Sequence, residues 1–128
     1  SFDKNIKKIY SSTESKALYT AEQLGKKLSV KVIKCEFLKE IKRPGYLENY
    51  EYELSLFFEK SVLSNKNWES YKSINSRVKS ILDLFKNEEE TSLFISHGIF
   101  ITFLMNYNMH KKYLDFWKKM KFGELYEI

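Results

Sequence analysis

The stretch Leu93-Phe94-Ile95-Ser96-His97-Gly98-Ile99-Phe100 decides how this chain folds. Three large apolar residues in a row read as a short strand buried on both faces. Ser96-His97-Gly98 interrupts the run as a polar turn. From Gly98 the chain is apolar nearly all round through Met105, with only Thr102 intervening, which reads as a deeply buried helix.

The same alternation appears on both sides of this unit. Upstream, Ile74, Val78, Ile81, Leu82 and Phe85 recur at helical spacing and predict a helix over Glu69–Lys86. Before it, Leu47, Tyr50, Leu54 and Phe57 predict a helix over Leu47–Val62, with residues 64–68 as a loop. Arg43-Pro44-Gly45 is a turn by composition. Val30, Val32 and Ile33 predict a strand that runs on to Phe37 and Leu38. Ala17, Leu18, Ala21, Leu24 and Leu28 form one face of a helix, capped by Ser12 or Thr13, after a strand ending at Ile9-Tyr10. Downstream, Tyr113–Met120 reads as a short helix and Phe122–Ile128 as a closing strand. Strands alternating with helices imply an α/β fold of three layers, a mainly parallel sheet flanked by helices. Ligands of such sheets bind beyond the carboxyl ends of the strands, which brings the Ser11-Ser12 and Ser96-His97-Gly98 turns to one edge.

Composition fits one domain over residues 1–128. Hydrophobic residues make up 43% and aromatic residues 16%, enough for a core. No stretch approaches the roughly 18–20 consecutive apolar residues of a membrane helix. Cys35 is the single cysteine, which excludes an internal disulfide and points to a reducing, cytoplasmic setting; its apolar neighbours predict a buried, inert thiol. The net charge is +5, but the lysines are interleaved with acids, and Arg43 and Arg77 are the only arginines. Base-reading contacts favour arginine's planar fork, so the composition argues against nucleic acid. The chain begins with Ser1 rather than Met, as a processed or truncated product would.

Several residues at the predicted sheet edge have chemistry to offer. His97 ends a strand and faces the crevice. Gly98 lets backbone approach a ligand closely, and the helix that starts there presents N–H groups to an anion. Lys16 lies on the first turn of the first helix, within reach of an anion over the strand ends. Glu40 follows the second strand and is placed to act as a general acid. Arg43, close by, is suited to bidentate anion binding. His110 lies beyond the apolar helix and reads as a surface residue.

Taken in order and spacing, these segments resemble the histidine phosphatase (phosphoglycerate mutase-like) superfamily. Ser11-Ser12-Thr13-Glu14-Ser15-Lys16-Ala17-Leu18-Tyr19-Thr20-Ala21 matches without a gap a family segment of the form Ser-Ser-x-x-x-Arg-Ala-x-x-Thr-Ala. Leu38-Lys39-Glu40 stands where the family has Leu-x-Glu. Leu93–Ile99 stands where it has a buried strand ending in Ser-His-Gly. The likeness covers roughly residues 6 to 106. It implies a phosphoglycerate mutase-like fold and phosphoryl transfer through a phosphohistidine, from a phosphorylated small molecule or phosphoprotein, with no metal or other cofactor. It also implies roles. His97 orients the phosphoryl group, Gly98 offers its N–H, Lys16 takes the place of a phosphate-binding arginine, and Glu40 protonates the leaving oxygen. Arg43 is the residue that could compensate for the fork lost at Lys16.

In the family the attacking histidine lies in an N-terminal Arg-His-Gly segment on a mid-sheet strand. This sequence contains only His97 and His110, so the resemblance implies a domain incomplete at its N-terminus. Backbone groups left open by a missing strand must be paired, which leads to the expectation of a complementing N-terminal segment or a homodimer. The leading reading is a phosphomonoester hydrolase or mutase-like phosphotransferase. The alternative is an inactive relative that binds a phosphorylated ligand or a protein partner.

Overall fold

The computed structural model describes residues 5–59, 67–107, 113–121, 123, 125 and 126. Along them run β1 (Lys8–Ser11), α1 (Ser15–Leu28), β2 (Lys31–Lys34), a 3-10 turn (Glu36–Leu38), α2 (Tyr50–Phe58), α3 (Tyr71–Asn87), β3 (Ser92–Ile95), α4 (Gly98–Met105) and α5 (Tyr113–Lys119). The strands form one parallel sheet in the order β2-β1-β3. Ser11 pairs with Lys34 on one side and with Ile95 on the other, so all three carboxyl ends lie at one edge. The outer sides of β2 and β3 have no strand neighbour among the described residues.

The period of two along each strand separates two apolar layers. Ile9, Val32 and Leu93 join Ile6, Ala21, Leu24 and Leu28 beneath α1. Tyr10, Ile33 and Phe94 join Ile74, Val78, Ile81, Phe100 and Phe103 on the opposite face. Tyr10 and Phe85 both stack on Phe94, with ring centroids 4.7 and 4.0 Å away. The result is the expected three-layer α/β arrangement. As anticipated, α4 is deeply buried, through Ile99, Phe100, Thr102, Phe103 and Leu104. Close approach of α1 to β2 requires Gly25, because a Cβ there would lie 2.8 Å from both the Val30 carbonyl oxygen and Val32 Cγ2.

Several expectations need correction. β2 stops at Lys34, and the 3-10 turn that follows leaves Phe37 49% exposed. Cys35, at the start of that turn, is half-buried rather than buried. β3 is half-buried along its length because it flanks only β1 among the described strands. Neither Ser12 nor Thr13 is the cap of α1. The cap position falls on Glu14, whose N–H donates to Ser12 Oγ at 3.1 Å. α2 begins at Tyr50, capped by Asn49, whose side chain accepts from the Tyr52 N–H. The predicted continuation to Val62, most of the closing strand and His110 lie outside the described residues.

Candidate active site

The two turns singled out from the sequence meet at the sheet edge. The Ser12 N–H donates to the Ile95 carbonyl oxygen at 2.9 Å, which extends the β1–β3 ladder by one step. That step brings the fully buried Ser12 hydroxyl to 2.7 Å from His97 Nε2. Glu14 Oε1 lies 3.4 Å from the same ring nitrogen. A bare nitrogen lone pair facing a carboxylate oxygen would be repelled, so the geometry suits an Nε2–H donor. The grouping is not a serine-hydrolase triad. Ser12 and Glu14 share one ring nitrogen, whereas a triad places nucleophile and acid on opposite nitrogens.

Glu40 sits where the sequence suggested, but its partners differ from expectation. Oε2 accepts from the Ile99 N–H at 3.0 Å, and Oε1 accepts from Phe100 and Ile41 N–H groups, both at 2.9 Å. The carboxylate thus caps α4 across the fold, satisfying N–H groups that a helix start leaves orphaned. Those donors were expected to face a ligand anion; instead Glu40 holds the Ile99 and Phe100 N–H groups and leaves that of Gly98. The Glu40 side chain is 13% exposed, with Arg43 Nη1 at 3.8 Å from Oε2. Arg43 also lies 5.9 Å from the Tyr50 ring centroid, within cation–π range. At Gly98 a Cβ would meet the Trp117 indole at 3.5 Å, ordinary contact. The glycine therefore faces α5 on that side and has room for an alanine.

The segment carrying Glu40 is held by a group the sequence reading passed over. Arg77, on α3, donates to the Phe37 and Lys39 carbonyl oxygens, both at 2.8 Å. Its Nη2 and Nε pair with Glu69 Oε1 at 2.8 Å and Oε2 at 3.0 Å. Its guanidinium lies 4.5 Å from the Phe100 ring centroid. Burial pushes the Glu69 carboxyl up, but hydrogen bonds from Arg77 and Ser73 outweigh this and hold it below its ordinary value. From the other side, Ser96 Oγ donates to the Leu38 carbonyl oxygen at 2.5 Å. Arg77's position on the polar side of α3 resembles that of any solvated charge. Only its being one of two arginines marked it.

Glu14, Lys16, Glu40, Arg43 and His97 line one open cavity of about 1000 Å³, with Phe37, Lys39, Lys42 and Arg77 around them. Lys16 is exposed at its wall and forms no ion pair among the described residues. Four of the five residues singled out from the sequence, Lys16, Glu40, Arg43 and His97, line this cavity, and the fifth, Gly98, follows His97 at the head of α4 without lining it. Among the described residues no group of three or more His, Cys, Asp or Glu side chains is placed to hold a metal ion. Nor is any helix among them long and apolar enough to cross a membrane.

The parallel sheet thus brings a histidine and a lysine together at its carboxyl edge on an α/β frame. The sequence pattern of the histidine phosphatase superfamily (branch 1) matches residues 2–125, and the chain belongs to that family. No curated protein matches the chain. Membership carries phosphatase- or mutase-like chemistry as its general class.

Proposed function

We propose that this chain forms the phosphoryl-binding part of a phosphomonoester hydrolase working through a phosphohistidine. A histidine nitrogen attacks phosphorus, the bond to the leaving oxygen breaks, and Glu40 supplies that oxygen's proton. Water then cleaves the P–N bond and releases phosphate. His97 orients the phosphoryl group through Nε2–H, Gly98 adds its N–H, and Lys16, supported by Arg43, offsets the charge on the transferring oxygens. Three N–H groups occupy the Glu40 carboxylate, two at Oε1 and one at Oε2, so the proton it supplies sits at the remaining lone-pair site of Oε2. The attacking histidine is supplied by a further segment of the protein, as the sequence's own histidines are His97, given the orienting role, and His110. His97 takes the orienting role instead, because its Nε2–H, set between Ser12 and Glu14, is a donor.

The observation that carries this reading is His97 and Lys16 lining one cavity at the carboxyl edge of the parallel sheet. Hydrolysis is favoured over mutase transfer by the short connections, which offer little to retain a phosphorylated intermediate. Incubating the full-length gene product with a phosphomonoester and quenching in alkali tests it. An alkali-stable, acid-labile phosphoprotein is expected. Its absence, with ligand still bound, would favour the second reading, a non-catalytic relative that binds a phosphorylated ligand or protein partner. Two observations support that alternative, namely a lysine at the family's arginine position and the Glu14 carboxylate beside His97.

A further inference from the structure

Glu14 has no part in the roles above, yet its carboxylate stands on the donors an anion would use. Oε1 accepts from the Glu40 N–H at 2.6 Å and lies 3.4 Å from His97 Nε2. It thus bridges the Glu40 segment and the His97 turn as a phosphoryl oxygen would, accepting from one backbone N–H and standing at ion-pair distance from the imidazole. The position favours a negative charge, because Glu14 occupies the cap position of α1, at that helix's positive end. Unlike Glu40, whose carboxylate accepts three N–H groups, Glu14 accepts one. Its side chain is 44% exposed, and the Glu14 backbone is fixed independently by donation from its N–H to Ser12 Oγ. The carboxylate can therefore swing into the cavity without disturbing the fold.

We propose that Glu14 is a built-in occupant of the anion seat, a displaceable carboxylate that competes with the phosphoryl group for His97. Resting on the phosphoryl-site reading above, the inference adds a determinant of which anions enter. Small free anions must displace Glu14 with only the seat's own contacts. A substrate with further contacts along the cavity has more interaction energy to set against the displacement. The device accordingly discriminates against inorganic phosphate, the product of hydrolysis, and in favour of an ester.

The test is titration of the full-length protein with inorganic phosphate, read by calorimetry and by the His97 ring nitrogen shifts. Glu14→Gln keeps size and the hydrogen bond to the Glu40 N–H while removing the charge; Glu14→Ala vacates the seat. Both variants are expected to bind phosphate at least about tenfold tighter than wild type, since like charges at one seat oppose each other. His97→Ala should abolish the gain. Equal affinity in wild type and both Glu14 variants, with binding still lost in His97→Ala, would overturn the Glu14 proposal and leave the phosphoryl site standing. Binding indifferent to His97, or no binding in any variant, would overturn both.

Discussion

Replacing Arg77 with methionine tests whether the site-bearing segment is held from α3. The substitution keeps much of the stem's volume over Phe100 and removes the guanidinium. It deletes the two-point pair with Glu69 and both bonds to the Phe37 and Lys39 carbonyl oxygens. Both charged side chains are only about one-tenth exposed, at 13% and 11%, so Glu69 is left nearly buried without its cation. Breaking a buried pair from one side costs about 3–5 kcal/mol. Glu69 retains acceptance from Ser73 Oγ and the Lys42 N–H and lies near solvent, which argues for the low end, about 3 kcal/mol. Urea denaturation should report that loss, and thermal melting a fall of about 10 °C. A double-mutant cycle with Glu69→Gln should give a coupling above about 1 kcal/mol. The sign with pH is also determined. Glu69's folded-state value is lowered, so its contribution is present above the ordinary carboxylate range and is lost as pH falls through the lowered value. A stability loss below about 1 kcal/mol, or additive single mutants, would refute the anchoring role.

Other substitutions give distinct outcomes. Gly25→Ala should destabilise by about 1–3 kcal/mol in urea melts, because the new Cβ meets a backbone carbonyl that cannot give way; Gly98→Ala, with Trp117 at ordinary distance, should fold normally. Glu40→Gln should cost about 1–2 kcal/mol of stability, as one carboxylate oxygen capping α4 becomes an NH₂. The same variant should slow esters with poor leaving groups more than those with good ones; equal slowing would count against Glu40 as the acid. Phe100→Ala should cost about 3–5 kcal/mol, since the ring is fully buried in the larger apolar layer.

Local periodicity made the frame legible. The apolar faces of α1 and α3, the apolar α4 and the turn at Ser96-His97-Gly98 all follow from residue spacing, and the sheet edge they imply brought Ser12 and His97 together. What escaped depends on partners far along the chain. The run from Val30 to Leu38 reads as one strand, but carbonyl oxygens at Phe37, Leu38 and Lys39 are taken by Arg77 and Ser96 in a non-strand geometry. Glu40 at the head of α4 is a contact across 59 residues, which no local pattern encodes. Leu93-Phe94-Ile95 has the composition of a two-sided buried strand, yet burial depends on what flanks it. Glu14 fell at an unspecified position of the family segment, and only its distance to His97 gave it a role.

The central claim is that His97 handles a phosphoryl group. The most direct measurement is kcat/KM for hydrolysis of p-nitrophenyl phosphate by the full-length gene product, wild type against His97→Ala, with matched melting curves. Loss of about 10²–10³-fold with the fold intact is the expected result, the usual cost of removing one transition-state donor. Near-wild-type hydrolysis by a folded His97→Ala protein would contradict the account.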